Sequence, residues 1–274
     1  MTIGVRDYGG GGPLVVLLHG WCCAPEFWRA QAAALVPEFW VVAPDLNAFL
    51  DGSFIVAAGQ EIASLVRRTC ATRGVTLVGH SMGGAIAIEA ASRLGGLCKM
   101  VIGVDTFTDA GFYGPLSAAE IEARLLPFRE NFSGAMERMV DRITLSGGES
   151  LKRSIAADMG AAEPVAARAR LHALLEWNIA SKWGAVPKPV VAINSAPLSR
   201  GMSRVELSGL VEIAMDGVGH FSMLEAPAEF NAILLRALRD SQSVSTYAED
   251  CRRKDNCARF RTANQIASRL FDEP

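Results

Sequence analysis

VTLVGHSMGGA, residues 75–85, sets a strand-like run directly against a glycine-rich turn. The run VTLVGH, 75–80, is β-rich and continuous rather than alternating, as in a parallel strand covered on both faces. The run that follows, AIAIEAASRL (85–94), has helical composition. Between them lies G-x-S-x-G, as Gly79, His80, Ser81, Met82 and Gly83. A strand turning this sharply into a helix strains the central residue, and the flanking glycines remove side chains that would clash. Ser81 is then expected to stand above the sheet edge, at a helix N-terminus whose dipole favours a developing anion. The five-residue pattern is weak alone, and a helix-capping serine in a tight turn is the plain alternative. The strand running in and the helix running out give the pattern its weight.

Working outward, further runs share the buried-strand character: LVVLLH (14–19), FWVVAPDL (39–46), KMVIGVDT (99–106), PVVAIN (189–194) and LVEIAMD (210–216). Helical segments near 26–36 and 55–71 separate the first of them. This alternation predicts an α/β fold: a mostly parallel central sheet with helices on both faces. The alternation stops between 108 and 187. That stretch is rich in Ala, Arg, Glu, Leu and Met, and Ser117 with Glu120 has the spacing of a capping box. One crossover rarely needs so long a connection, so 108–187 is expected to be a helical cap insertion of about four helices. The core is then 1–107 and 188–240. Residues 241–274 are polar and form a C-terminal appendage: a docked helix, a homo-oligomer contact or partly disordered chain.

Composition narrows the function. The chain has 274 residues, half of them hydrophobic, and a net charge of −2. Neither nucleic acid nor an anionic membrane is expected as a partner; the one short basic run is 252–254. The start lacks the pattern of a secretory signal, no apolar stretch is long enough to span a bilayer, and a cytoplasmic location is expected. Cys22, Cys23, Cys70 and Cys98 sit in or beside apolar segments and read as buried thiols. Cys251 and Cys257 lie in the polar tail with no His beside them, so no metal site is expected. The GGGG at 9–12 lacks the Lys and Ser/Thr of a phosphate loop, and no cofactor is expected.

A serine nucleophile needs a base, and there are four histidines. His80 adjoins Ser81, but the sharp turn aims it elsewhere. His19 reads as structural beside Gly20, and His172 as a partly buried helix residue. His220, in MDGVGHFSMLEAPAEF, follows the sixth of these strands and reaches the same sheet edge as Ser81. Gly217 and Gly219 let its loop turn tightly. An oxyanion needs donors, and the backbone N–H groups of Met82 and Trp21 are the candidates, with Gly20 letting the first loop fold back.

HG at 19–20, APDL at 43–46, GHSMGG at 79–84 and GVGHFSMLEAPAEF at 217–230 together resemble the α/β-hydrolase family. The resemblance covers roughly 1–107 and 188–240. It implies a Ser–His–acid triad, two backbone oxyanion donors and a substrate pocket between sheet and cap. Two departures stand out. The loop DLNAFLDGS (45–53) differs from the family's usual D-x-x-G-x-G. Near Ala196, where many members carry the acid, VVAINSAPLSRG (190–201) has no carboxylate. Asp105, ending the strand after the nucleophile helix, is the candidate acid, since some members place theirs there. A carboxylate at the end of so apolar a strand also needs a partner. Asp216, Asp109 and Asp45 are the rivals.

The leading expectation is a serine hydrolase of carboxylic esters acting on a small apolar ester or acyl substrate. Leu125, Leu126, Phe128 and Trp177 are candidate pocket residues. The alternatives are a cofactor-free dioxygenase or other non-ester enzyme using the His–Asp pair, and a ligand-binding protein with a vestigial triad.

Overall fold

The computed structural model describes residues 3–48, 54–69, 74–187, 189–201 and 203–239. The appendage at 241–274, Cys70, Cys251 and Cys257 therefore lie outside the described residues, as does the end of the loop after residue 48.

Seven strands form one sheet: β1 (Val5–Gly9), β2 (Leu14–Leu18), β3 (Trp40–Pro44), β4 (Val75–His80), β5 (Cys98–Val104), β6 (Val190–Ser195) and β7 (Leu210–Met215), in the order β1-β3-β2-β4-β5-β6-β7. All neighbours are parallel except β1, which runs antiparallel to β3. β2, β4, β5 and β6 are almost wholly buried, which explains their continuous apolar runs. β1 was not foreseen. Its residues are mostly exposed, so it carries no strong apolar signal.

The first helices are α1 (Arg29–Leu35), α2 (Phe54–Thr69) and α3 (Met82–Leu94). α3 begins directly after Ser81, three residues earlier than its Ala-rich run suggests. Between β5 and β6 the chain is helical: α4 (Ala110–Tyr113), α5 (Ala118–Glu130), α6 (Phe132–Ile143), α7 (Gly148–Gly160), α8 (Pro164–Glu176) and α9 (Ala180–Trp183). Four of these are long and two are single turns. The Ser117–Glu120 capping box forms at the start of α5. The short α10 (Ala196–Ser199) and α11 (Ser222–Glu225) lead to α12 (Pro227–Arg239). α2 packs on α3, and α1 packs on α12, so helices cover both faces of the sheet.

Register places the site. His80 pairs with Val104 across β4 and β5, and Val104 pairs with Ile193 across β5 and β6. Ser81 and Asp105 therefore leave adjacent strands at the same edge. The Ser81 N–H donates to the Val104 carbonyl at 3.0 Å, and the Asp105 N–H to that of Ile193 at 3.0 Å.

Candidate active site

Ser81 occupies the elbow with φ 50° and ψ −120°, a backbone state that ordinary residues rarely hold. Both flanking glycines are required by close approach. A Cβ on Gly79 would lie 2.3 Å from the Gly83 carbonyl oxygen, and one on Gly83 would lie 2.3 Å from that of Leu18. Met82 is the first residue of α3, so its N–H has no carbonyl within the helix to bond.

The structure brings His220 and Asp105 together, with His220 Nδ1 2.6 Å from Asp105 Oδ2. The other carboxylate oxygen accepts the Ser195 N–H at 2.7 Å. Asp105 is buried and sits at φ 47°, and Phe107 in the same turn sits at φ 77°. With Asp105 as acceptor, Nδ1 carries the imidazole proton and Nε2 is left bare, the tautomer a general base needs. The rivals are engaged elsewhere. Asp216 pairs with Arg200 on the surface. Asp109 accepts the Gly111 N–H at 2.7 Å, capping α4, and its burial pushes its carboxyl up. Asp45 holds the N–H of Asn47 and lies 3.6 Å from His19.

The remaining histidines have other positions. His19 Nδ1 lies 2.9 Å from the Gly20 carbonyl oxygen, and its Nε2 accepts the Leu46 N–H at 2.9 Å, tying β2 to β3. His172 is half exposed beside Glu176. His80 is buried, and its Nε2 lies 2.9 Å from the His220 carbonyl oxygen, which only accepts. Nε2 therefore holds the proton, and Nδ1 is left bare. Burial first, and the nearby His220 second, push His80 well below the ordinary histidine range. Gly20 must stay small, because a Cβ there would lie 2.7 Å from the His80 Nδ1.

Trp21 binds the helical segment with its side chain. Its indole N–H donates to the Ala167 carbonyl at 2.7 Å, and its ring makes T-shaped contacts with those of Phe128 and Phe132. The next residue, Cys22, has φ 55°, so the loop turns sharply just after the Trp21 peptide. Burial pushes the Cys22 thiol up to about 12, with Arg170 opposing. Leu126 is half exposed, and Trp177 donates its indole N–H to the buried Glu89 at 2.9 Å. Leu125 and Phe128 are buried.

Sequence reading passed over several residues at this edge. Thr106 Oγ1 lies 3.1 Å from the Ser81 carbonyl oxygen and 2.7 Å from the Tyr113 hydroxyl. Burial raises the Tyr113 phenol, while Thr106 and the Ser81 side chain act against that rise. No motif marks Tyr113. Only the turn after Asp105 brings it back over the elbow. A groove of about 370 Å³, lined by Leu125, Arg129, Arg168, Ala169, His172 and Glu176, shares no residue with this site. Among the described residues no group of three or more His, Cys, Asp or Glu could hold a metal, and no helix is long and apolar enough to cross a membrane.

A mostly parallel sheet with a strained serine between strand and helix defines the α/β-hydrolase class of fold. The chain belongs to the alpha/beta hydrolase family, whose model matches residues 15–233. A curated relative, the pimeloyl-[acyl-carrier protein] methyl ester esterase of Nitrosospira multiformis, is 26% identical over 253 residues, covering 84% of this chain and 96% of the relative. Among solved structures, an esterase from Exiguobacterium antarcticum superposes with a TM-score of 0.74 at 16% identity, covering 86% of this chain and 95% of that one. A bromoperoxidase from Bacillus anthracis gives 0.71 at 20% identity, covering 87% and 95%. An enol-lactonase from Burkholderia xenovorans gives 0.70 at 16% identity, covering 86% and 96%. These superpositions establish the fold.

Proposed function

We propose that this hydrolase-family protein cleaves carboxylic esters through Ser81, His220 and Asp105. The observation that carries the reading is the 2.6 Å His220–Asp105 contact at the strand edge next to the Ser81 elbow. Ser81 Oγ attacks the ester carbonyl carbon while its proton passes to His220 Nε2. The C=O π electrons move to oxygen, and the oxyanion accepts the N–H groups of Met82 and Trp21. A preorganised donor of this kind contributes roughly 10²–10³-fold to turnover. Asp105 supports the imidazolium through Nδ1–H. Collapse of the tetrahedral centre breaks the bond to the alcohol oxygen, which leaves with the proton from His220. Water then gives a proton to His220 and attacks the acyl-serine. The acid is released, and the proton returns to Ser81.

The helical segment, α4–α9, is the cap in this reading, and Trp21 with Phe128 and Phe132 forms the junction where an apolar acyl group is received. The curated relative is named for a methyl ester, so substrates with small alcohol portions are the first to try. The test is a hydrolysis series with p-nitrophenyl esters of increasing acyl length, run beside Ser81→Ala and fluorophosphonate labelling. Turnover and labelling that both vanish in Ser81→Ala support the reading. Turnover that survives Ser81→Ala refutes serine catalysis and favours a His–Asp base acting directly on substrate. A wild-type chain that neither labels nor turns over any ester favours a vestigial site.

A further inference from the structure

The backbone at 219–221 is held by hydrogen bonds, and one side chain, Glu225, makes two of them. Glu225, on α11, accepts five hydrogen bonds: from Leu145 N–H (2.9 Å), Ser146 N–H (2.7 Å), Ser146 Oγ (3.2 Å) and Gly219 N–H (2.9 Å) at Oε2, and from Phe221 N–H (3.1 Å) at Oε1. Gly219 and Phe221 are the residues either side of His220. Leu145 and Ser146 belong to the connection between α6 and α7, some eighty residues away in sequence. His220 itself donates its N–H to the Ile143 carbonyl at 2.7 Å, so it is bonded to the end of α6. The contact is close: a Cβ on Gly219 would lie 2.1 Å from the Ile143 oxygen.

Hydrogen bonds to an ionised carboxylate are roughly twice as strong as neutral ones. A single carboxylate receiving donors from both segments therefore locks one against the other. We propose that Glu225 is a positioning residue for His220: it couples the α6–α7 connection to the base, so that the imidazole faces Ser81 only while the helical segment is seated. This rests on His220 being the base. A cap displaced at Ile143–Ser146 draws the His220 peptide with it, so substrate entry and base alignment are one event.

Glu225→Gln is the decisive substitution, because an amide has one acceptor oxygen. Whichever way it sits, its NH₂ faces N–H donors: the Phe221 amide in one orientation, the Leu145, Ser146 and Gly219 amides in the other. A 1 Å misplacement of a catalytic group costs about 10²-fold in rate. The expected result is a kcat lowered roughly 10- to 100-fold with KM within about threefold of wild type. A second readout does not depend on turnover. The proton between His220 Nδ1 and Asp105 should give a downfield imidazole resonance, and with four histidines in the chain, ¹⁵N-histidine labelling isolates it. In Glu225→Gln that resonance broadens. If Glu225→Gln does not fold, Glu225→Asp keeps the charge one methylene shorter and should show the same two losses in weaker form. A folded variant with wild-type kcat and a sharp resonance overturns the proposal, even if its melting temperature has dropped. A wild-type protein that hydrolyses no ester sinks the hydrolase reading, while the resonance still reports on Glu225.

Discussion

Asp105→Asn is the sharpest perturbation of the site, because the structure dictates which way the new amide sits. Oδ1 of Asp105 takes the Ser195 N–H at 2.7 Å, and only an oxygen can stay there. The amide NH₂ must then occupy the other position, 2.6 Å from His220 Nδ1. A donor at that point forces Nδ1 to accept, so the ring proton moves to Nε2, the atom that in the proposed mechanism takes the Ser81 proton. The geometry stays and the tautomer is wrong. In a serine protease triad the same exchange costs about 10⁴-fold in kcat. That corresponds to roughly 5.5 kcal/mol of lost transition-state stabilisation. Folding should hardly change, because Asn fits the cavity and tolerates the φ of 47° that Asp105 adopts. The assay is p-nitrophenyl ester turnover at saturating substrate, with thermal unfolding run in parallel. A folded Asp105→Asn variant within tenfold of wild type refutes Asp105 as the acid. So does a larger loss from Asp109→Asn or Asp216→Asn.

Three other outcomes follow from the same structure. Gly83→Ala puts a Cβ 2.3 Å from the Leu18 carbonyl oxygen and 2.7 Å from that of His19, both backbone, so it should destabilise by at least the ~1–3 kcal/mol typical of overpacking; an unfolding midpoint equal to wild type would contradict the close packing of elbow and β2. The Cys22 and Cys98 thiols, pushed up to about 12 by burial, should stay unmodified by iodoacetamide at pH 8 in the folded protein and react after denaturation, as peptide mapping would show. His80 is held neutral in the fold, so below about pH 6.5 the unfolded chain binds a proton that the folded chain refuses. Its contribution to stability is therefore lost as pH falls, at up to about 1.4 kcal/mol per pH unit. Urea midpoints between pH 7.5 and 5.5 should decline more steeply for wild type than for His80→Asn, and equal slopes would show that His80 takes up protons in the fold.

The legibility of each element in the sequence follows from how local its signal is. The central strands announce themselves because both their faces are buried, and the elbow does so because Gly79 and Gly83 have steric work to do within a few residues of Ser81. β1 escaped because an exposed edge strand, VRDYG, has no apolar pattern; its pairing to β3 is a tertiary fact. The contacts of Tyr113 and Glu225 were invisible for a similar reason. Tyr113 meets Thr106 across the turn after Asp105, and Glu225 takes N–H groups from a connection some eighty residues away, through hydrogen bonds that no spacing rule encodes. Trp177, just past the end of α8, was expected as pocket lining by its type alone; the partner of its indole N–H, the buried Glu89 on α3, which also pairs with Arg93, is likewise a tertiary fact.

The stretch VVAINSAPLSRG, which lacks the expected carboxylate, serves the site by holding Asp105. Asn194 is fully buried, and its Oδ1 accepts the Thr106 N–H at 3.0 Å. Its Nδ2 donates to Glu212 at 2.7 Å and to the Thr108 hydroxyl at 3.4 Å. Ser195 adds its N–H to Asp105. The end of β6 thus fastens the turn in which Asp105 and Phe107 hold positive φ, a conformation that persists only where its surroundings over-determine it. An Asp in place of Asn194 would lose the Nδ2 donor and face Glu212 with a like charge, so this position favours an amide. In the proposed triad the acid follows β5 directly, which has a further consequence. Ser81 and Asp105 now come from neighbouring strands whose register is fixed by β4–β5 pairing, and only His220 must be delivered from a distant loop. The demand for precision falls on that loop, and there the bonds from His80, Ile143 and Glu225 converge.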